Sequence, residues 1–167
     1  RPSGFLVGNL VVRAGITELV GKPKNGKTQV AVATAVAVAT GRDFGDNPAF
    51  PVTPHHEGIP HRVSWLSCDE TTERVRERLT PYNLTPDELA RIKIWDLPAR
   101  RALQFGTQPP QQARINWRVW AEELLASGTS LLVVDHLMGV VDGVGINDTS
   151  GVIWWSISTT ASGDMRA

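Results

Sequence analysis

The sequence predicts an α/β domain, a mostly parallel sheet with helices on both faces. Two observations carry that expectation. Short apolar runs at Ile16–Val20, Val63–Ser67, Ile92–Trp95 and Leu131–Val134 alternate with segments of helical pattern. Strands that are apolar along their whole length belong to parallel sheets buried on both faces. The first run also passes straight into a polar, glycine-rich loop, Gly21-Lys22-Pro23-Lys24-Asn25-Gly26-Lys27-Thr28, which opens a long apolar segment of small residues.

Each element has its own local reason. Ile16–Val20 is β-branched and bounded by Gly15 and Gly21, as a buried strand is. Thr28–Thr40 has no polar face; its length and the glycine stop at Gly41 favour a buried helix over a strand. Residues 43–60 carry prolines, glycines and histidines and read as a surface loop. After the strand at Val63–Ser67, Thr71 caps a segment with an early acid and late arginines, the charge order that a helix dipole favours. Thr85-Pro86-Asp87-Glu88 is a second helix start, with a capping box. Gln111–Ala126 reads as an amphipathic helix with Ile115, Val119, Leu124 and Leu125 among its inward residues, closed by Gly128. Val152–Ser158 is one more strand, with Trp154 and Trp155 on opposite faces. Only a short glycine-rich stretch separates it from Asp135, less than a parallel crossover with a helix usually takes. The C-terminal part of the fold is therefore expected to be short or incomplete.

At 167 residues the chain has room for one domain, residues 1–167, with its core at about 8–141. The apolar fraction of 41% and charged fraction of 20% are globular values. With 17 basic against 17 acidic residues, a general polyanion-binding surface has no compositional support. The single cysteine, Cys68, excludes an internal disulfide framework and fits a reducing compartment. Val30–Ala39 is too short to span a bilayer, and a soluble cytoplasmic protein without membrane partners is the expectation.

The loop carries the chemistry. A phosphate needs several donors converging on one point, and successive backbone amides supply them. Gly21 and Gly26 let the backbone curl, and the helix opened by Thr28 and Gln29 turns its positive N-terminus to the anion. In the spacing Gly21-x-x-x-x-Gly26-Lys27-Thr28, Lys27 reaches the β- and γ-phosphates and the Thr28 hydroxyl binds Mg²⁺. The expected contacts to ATP therefore run through Gly21, Lys22, Pro23, Lys24, Asn25, Gly26, Lys27, Thr28 and Gln29. A second acidic site is expected for the metal, and Leu131-Leu132-Val133-Val134-Asp135 has the Walker B form, with Asp135 as the metal carboxylate. Asp69 and Glu70 follow the strand at Val63–Ser67. A carboxylate at such a strand end can position water for hydrolysis, while the plain alternative is that both cap the next helix.

Together the loop, the acids Asp69-Glu70, the arginine-bearing helix to Arg78 and Val133-Val134-Asp135 resemble the RecA-like P-loop ATPases. The nearest likeness is to the RepA-type hexameric helicase group and its phage and plasmid relatives, and it covers roughly Gly8 to Val141. The resemblance implies hydrolysis of MgATP, with Asp69 or Glu70 as the catalytic acid beside Lys27, and Arg78 as a nucleotide-contacting arginine. It also implies a polar sensor at Ser158, Thr159 or Thr160, and a homo-oligomer, hexamer or filament, with single-stranded DNA as a partner in replication or recombination. Arg100 or Arg101 would be the finger reaching a neighbour's nucleotide. Two other readings compete: a nucleotide-dependent regulatory or assembly switch without DNA processing, and a small-molecule kinase, against which the acidic pair after the second strand argues. His55, His56, Glu57 and His61 lack the spacing of an ordered zinc site, and Trp117 and Trp120 suit a core better than base stacking.

Overall fold

The computed structural model describes residues 4–22, 24–54, 59–67, 70–95, 110–135 and the backbone of 151–156. Strands β1 (Phe5–Val7) and β2 (Val11–Val12) form a small antiparallel hairpin. Strand β3 (Ile16–Val20) leads through the glycine-rich loop into helix α1 (Lys27–Thr40). Then come β4 (Arg62–Ser67), α2 (Thr72–Leu79), α3 (Pro86–Ala90), β5 (Ile92–Trp95), α4 (Pro110–Ala126), β6 (Thr129–Asp135) and β7 (Gly151–Ser156).

The main sheet has the order β3-β7-β6-β4-β5. Strands β5, β4 and β6 are parallel, as expected from their apolar runs. Strand β7 lies between β3 and β6 and runs antiparallel to both, pairing Thr17 with Trp154 and Val133 with Trp154. This corrects the expectation of a crossover after Asp135. An antiparallel neighbour needs no helix to bring the chain back, so a short connection suffices. The strand spans Gly151–Ser156 rather than 152–158.

Helix α1 is buried on nearly all sides, with Ala31, Val32, Ala35, Val38 and Ala39 at 1% exposure or less. Its small side chains let it sit between one sheet face and a cover of Leu6, Val7, Val11 and Val52. A helix apolar all round is stable only when enclosed in this way. Thr34 and Thr40 stay satisfied by donating to the carbonyls of Val30 and Val36, both at 2.8 Å. Gly41, at φ 73°, ends the helix, and its N–H reaches Ala37 O. Thr71 and Thr85 cap α2 and α3 as their sequences predict, the second in a complete capping box; each such cap is worth about 1 kcal/mol.

The opposite sheet face is covered by α4. Here the sequence pattern placed Leu124 correctly on the inward side and Ile115, Val119 and Leu125 wrongly. Trp120 and Leu124 are buried against Leu66, Leu132 and Val134, with Trp95 and Trp117 beside them. Ile115, Val119 and Leu125 are exposed, at 54%, 59% and 49%. The tryptophans decide the rotation of the helix: Trp120 meets Trp95 and Trp117 edge-on at 5.3 and 5.2 Å. Such pairs add about 0.5–1.5 kcal/mol each beyond the area they bury. Among the described residues no helix is long and apolar enough to cross a membrane.

Candidate functional site

Parallel strands bring their carboxyl ends to one edge of the sheet, and here three of them meet. Ser67, the last residue of β4, pairs with Asp135, the last of β6. Asp135 pairs across β7 with Val152, next to Gly151, which pairs with Val20 at the end of β3. The sheet thus gathers the loop after β3, the carboxylate of Asp135 and the acidic turn after β4 on one edge.

The loop reverses handedness residue by residue. Lys24 (φ 65°) and Gly26 (φ 75°) are left-handed while Asn25 between them is not. This alternation turns successive N–H groups toward a common concavity, the backbone form that holds anions. A Cβ on Gly26 would meet nothing, so glycine is needed there for its backbone angle and not for space. Helix α1 starts on Gly26 with no side-chain cap and no acid in its first turn. Its N-terminal donors are left for an external acceptor. Lys27 folds back over the loop: Nζ donates to Gly21 O at 2.8 Å and to Lys22 O at 2.7 Å. The ammonium is held at the mouth by two carbonyls, which leave one of its three donors to spare. Thr28 follows at half burial, and Gln29 is exposed.

The acidic turn is set by a residue that the sequence reading passed over. Ser67 Oγ donates to Glu70 O at 2.8 Å and accepts from Glu70 N at 3.2 Å. This hydroxyl closes the turn from β4 into α2 and fixes where Glu70 stands. A serine three residues before a helix-leading glutamate was the available signal. Arg78 comes back from α2 and donates Nε to Glu70 Oε2 at 2.7 Å, with Nη2 on Oε1. The hydrogen bond from Arg78 holds the Glu70 carboxyl below the usual glutamate range, against the opposing effect of burial; the charges of Arg78 and Arg74 lower it further. Arg78 is raised in turn, first by Glu70, and it also feels the charge of Asp135.

Next to the loop lies a cleft of about 510 Å³ lined by Gln29, Arg74, Glu77, Arg78, Pro81 and Tyr82. It has a flat aromatic ring, a proline face and two guanidinium groups. Of the residues expected at the site, Pro23 and Asp69 lie outside the described residues. So do Cys68, His55, His56, Glu57, Arg100, Arg101, His136 and Ser158, Thr159 and Thr160. His61 is buried, with Nε2 at 2.7 Å from Thr53 O, a packing role in the N-terminal cover. Among the described residues no cluster of three metal-ligating side chains occurs.

Fold and site together define a nucleotide-binding α/β domain of the P-loop ATPase type. A family model described as AAA domain matches residues 2–157, and the chain belongs to that family. No curated protein and no solved structure matches the chain.

Proposed function

We propose that the protein binds MgATP and hydrolyses it at the sheet edge where β3, β4 and β6 end. One observation carries this reading: the Lys27 ammonium spans its own loop between Gly21 O and Lys22 O, above an uncapped helix N-terminus. The residues suit the ligand. Loop amides and Lys27 neutralise the β- and γ-phosphates, and the hydroxyl of Thr28 with the carboxylate of Asp135 offers the oxygen donors that Mg²⁺ takes. Held there, Mg²⁺ would supply positive charge against that of the phosphates. Glu70 or Asp69 accepts a hydrogen bond from the attacking water and aligns it with the γ-phosphorus. Ser67 keeps Glu70 in place, and Arg78 with Tyr82 provides the walls against which the nucleobase rests.

The coupled task in this reading is DNA processing by an oligomeric motor of the RepA type, with Arg100 or Arg101 completing a neighbour's site. The resemblance described above supports it. A second reading, a slow nucleotide-dependent switch, is favoured by one observation: the arginine that would contact nucleotide occupies both oxygens of Glu70. ADP release measured with and without single-stranded DNA at low salt separates the two. DNA-stimulated turnover supports the motor. Slow turnover indifferent to DNA supports the switch, and absence of MgATP binding in calorimetry overturns both.

A further inference from the structure

Helix α4 carries two apolar faces and the sheet uses one. Trp120 and Leu124 face the sheet, while Ile115, Val119 and Leu125 stand out from it. The charges on the outward side are sorted. Arg114 and Arg118 occupy the N-terminal half, where no acid occurs, and Glu122 the C-terminal half, where no base occurs; the neighbouring Glu123 accepts from Lys93 of β5 at 3.1 Å. An α-helix of this length is about 25 Å long, so the two halves form distinct basic and acidic ends with the apolar residues among them.

We propose that the outward face of α4 is a self-complementary docking surface on which a second copy of this chain lays its own α4, antiparallel, about a two-fold axis level with Trp120. An isologous contact requires one patch to fit itself. Antiparallel pairing does so here because each basic half meets an acidic half; parallel pairing would stack like charges. In that register Arg118 faces Glu122 of the second copy, Ile115 faces its Leu125 and Ala126, and Val119 lies beside its symmetry mate. Within one chain Arg118 Nε reaches Glu122 Oε1 at 3.1 Å, with both side chains more than half exposed. A pair this wet binds its partners weakly and is free to exchange across the interface. The contact is small, so a dimer that dissociates at micromolar concentration is expected, not an obligate one. The inference is independent of the nucleotide site, which lies at the strand ends and not on this face.

Analytical ultracentrifugation of the full chain from about 1 to 200 µM covers the range in which so small an interface dissociates. A reversible monomer–dimer equilibrium is expected. Val119→Glu, which sets two like charges beside the axis, should leave monomer throughout. Arg118→Glu and Glu122→Arg should each weaken the dimer about tenfold or more, and the double variant should recover most of the loss, as opposite charges face each other again. All three side chains are largely exposed, and circular dichroism confirms that the variants fold. A chain that stays monomeric at the highest concentration overturns the proposal. So does a dimer that survives Val119→Glu, or a double variant no tighter than the single ones.

Discussion

Arg78 holds Glu70 by two parallel hydrogen bonds, Nε on Oε2 at 2.7 Å and Nη2 on Oε1. The pair joins the residue proposed to touch nucleotide to an acid proposed to align water. Bidentate pairs of this kind are among the more directional contacts a protein makes. Glu70 therefore has two possible duties, catalytic and structural, and substitution separates them. Glu70→Gln should still bind MgATP in calorimetry yet turn it over roughly 10²-fold more slowly. Retained turnover with a lowered melting temperature would make Glu70 a support for Arg78 and leave Asp69 as the acid to test.

The same pair makes a pH prediction. Its folded-state carboxyl titrates below the unfolded value, so its stabilisation is complete at neutral pH. It is lost as pH falls from the ordinary glutamate value of about 4.3 through the lower folded one. Urea titrations of wild type and Glu70→Gln from neutral to acid pH should show a stability gap that is constant above that range and closes within it. A gap that widened on acidification would refute the assignment.

Lys27→Ala should weaken MgATP binding by about 10²-fold, the loss expected for one or two charge-assisted hydrogen bonds. The fold should persist, because Lys27 contacts only loop carbonyls by hydrogen bond. Calorimetry with circular dichroism decides it, and unchanged affinity would remove the loop from the site.

Asp135→Asn should raise the Mg²⁺ concentration needed for turnover while leaving metal-free nucleotide binding close to wild type. The metal titration of ADP release gives the answer. A wild-type response would move the metal carboxylate elsewhere.

Leu124 and Leu125 are neighbours of identical chemistry about 100° apart around α4, 2% and 49% exposed. Leu124→Ala should cost about 2–5 kcal/mol of stability, and Leu125→Ala about 0.5 kcal/mol or less. Chemical denaturation at low protein concentration checks both. Similar costs would mean that the helix is rotated from the position described.

The legible parts of this fold were those fixed by local chemistry. The apolar runs of β4, β5 and β6, the caps at Thr71 and Thr85, and the glycine stop of α1 follow from residue type and spacing. Strand β3 was legible as a strand but not as buried, because it lies at the end of the sheet with Ile16 and Val20 59% and 55% exposed. The direction of β7 was not legible, because an apolar run such as Val152-Ile153-Trp154-Trp155 reads the same either way along the sheet; the short connection from Asp135 was the one pointer to an antiparallel return. The inward side of α4 was legible only at Leu124, because large apolar residues stand all round the helix and the choice among them depends on Trp95, a residue on a strand of the sheet. At the site, the loop spacing and Asp135 were readable. The Arg78–Glu70 pair and the Ser67 turn were not, since each depends on how α2 folds back over the end of β4.

The position of β7 bears on how the chain is made. Among the described residues β3 has β7 as its one neighbour in the sheet, and Ile16 pairs with Trp155. A ribosome releases the phosphate-loop segment before residues 151–156, so a nascent chain carries its loop without the strand that seats it until β7 has emerged. Pairings this distant in sequence form slowly, and until this one forms, an edge of β6 is open to other chains. Seating of the loop thus waits until β4, β5 and β6 have been released, and a chain that stops short of Gly151 would keep every residue of the loop without the sheet that anchors it.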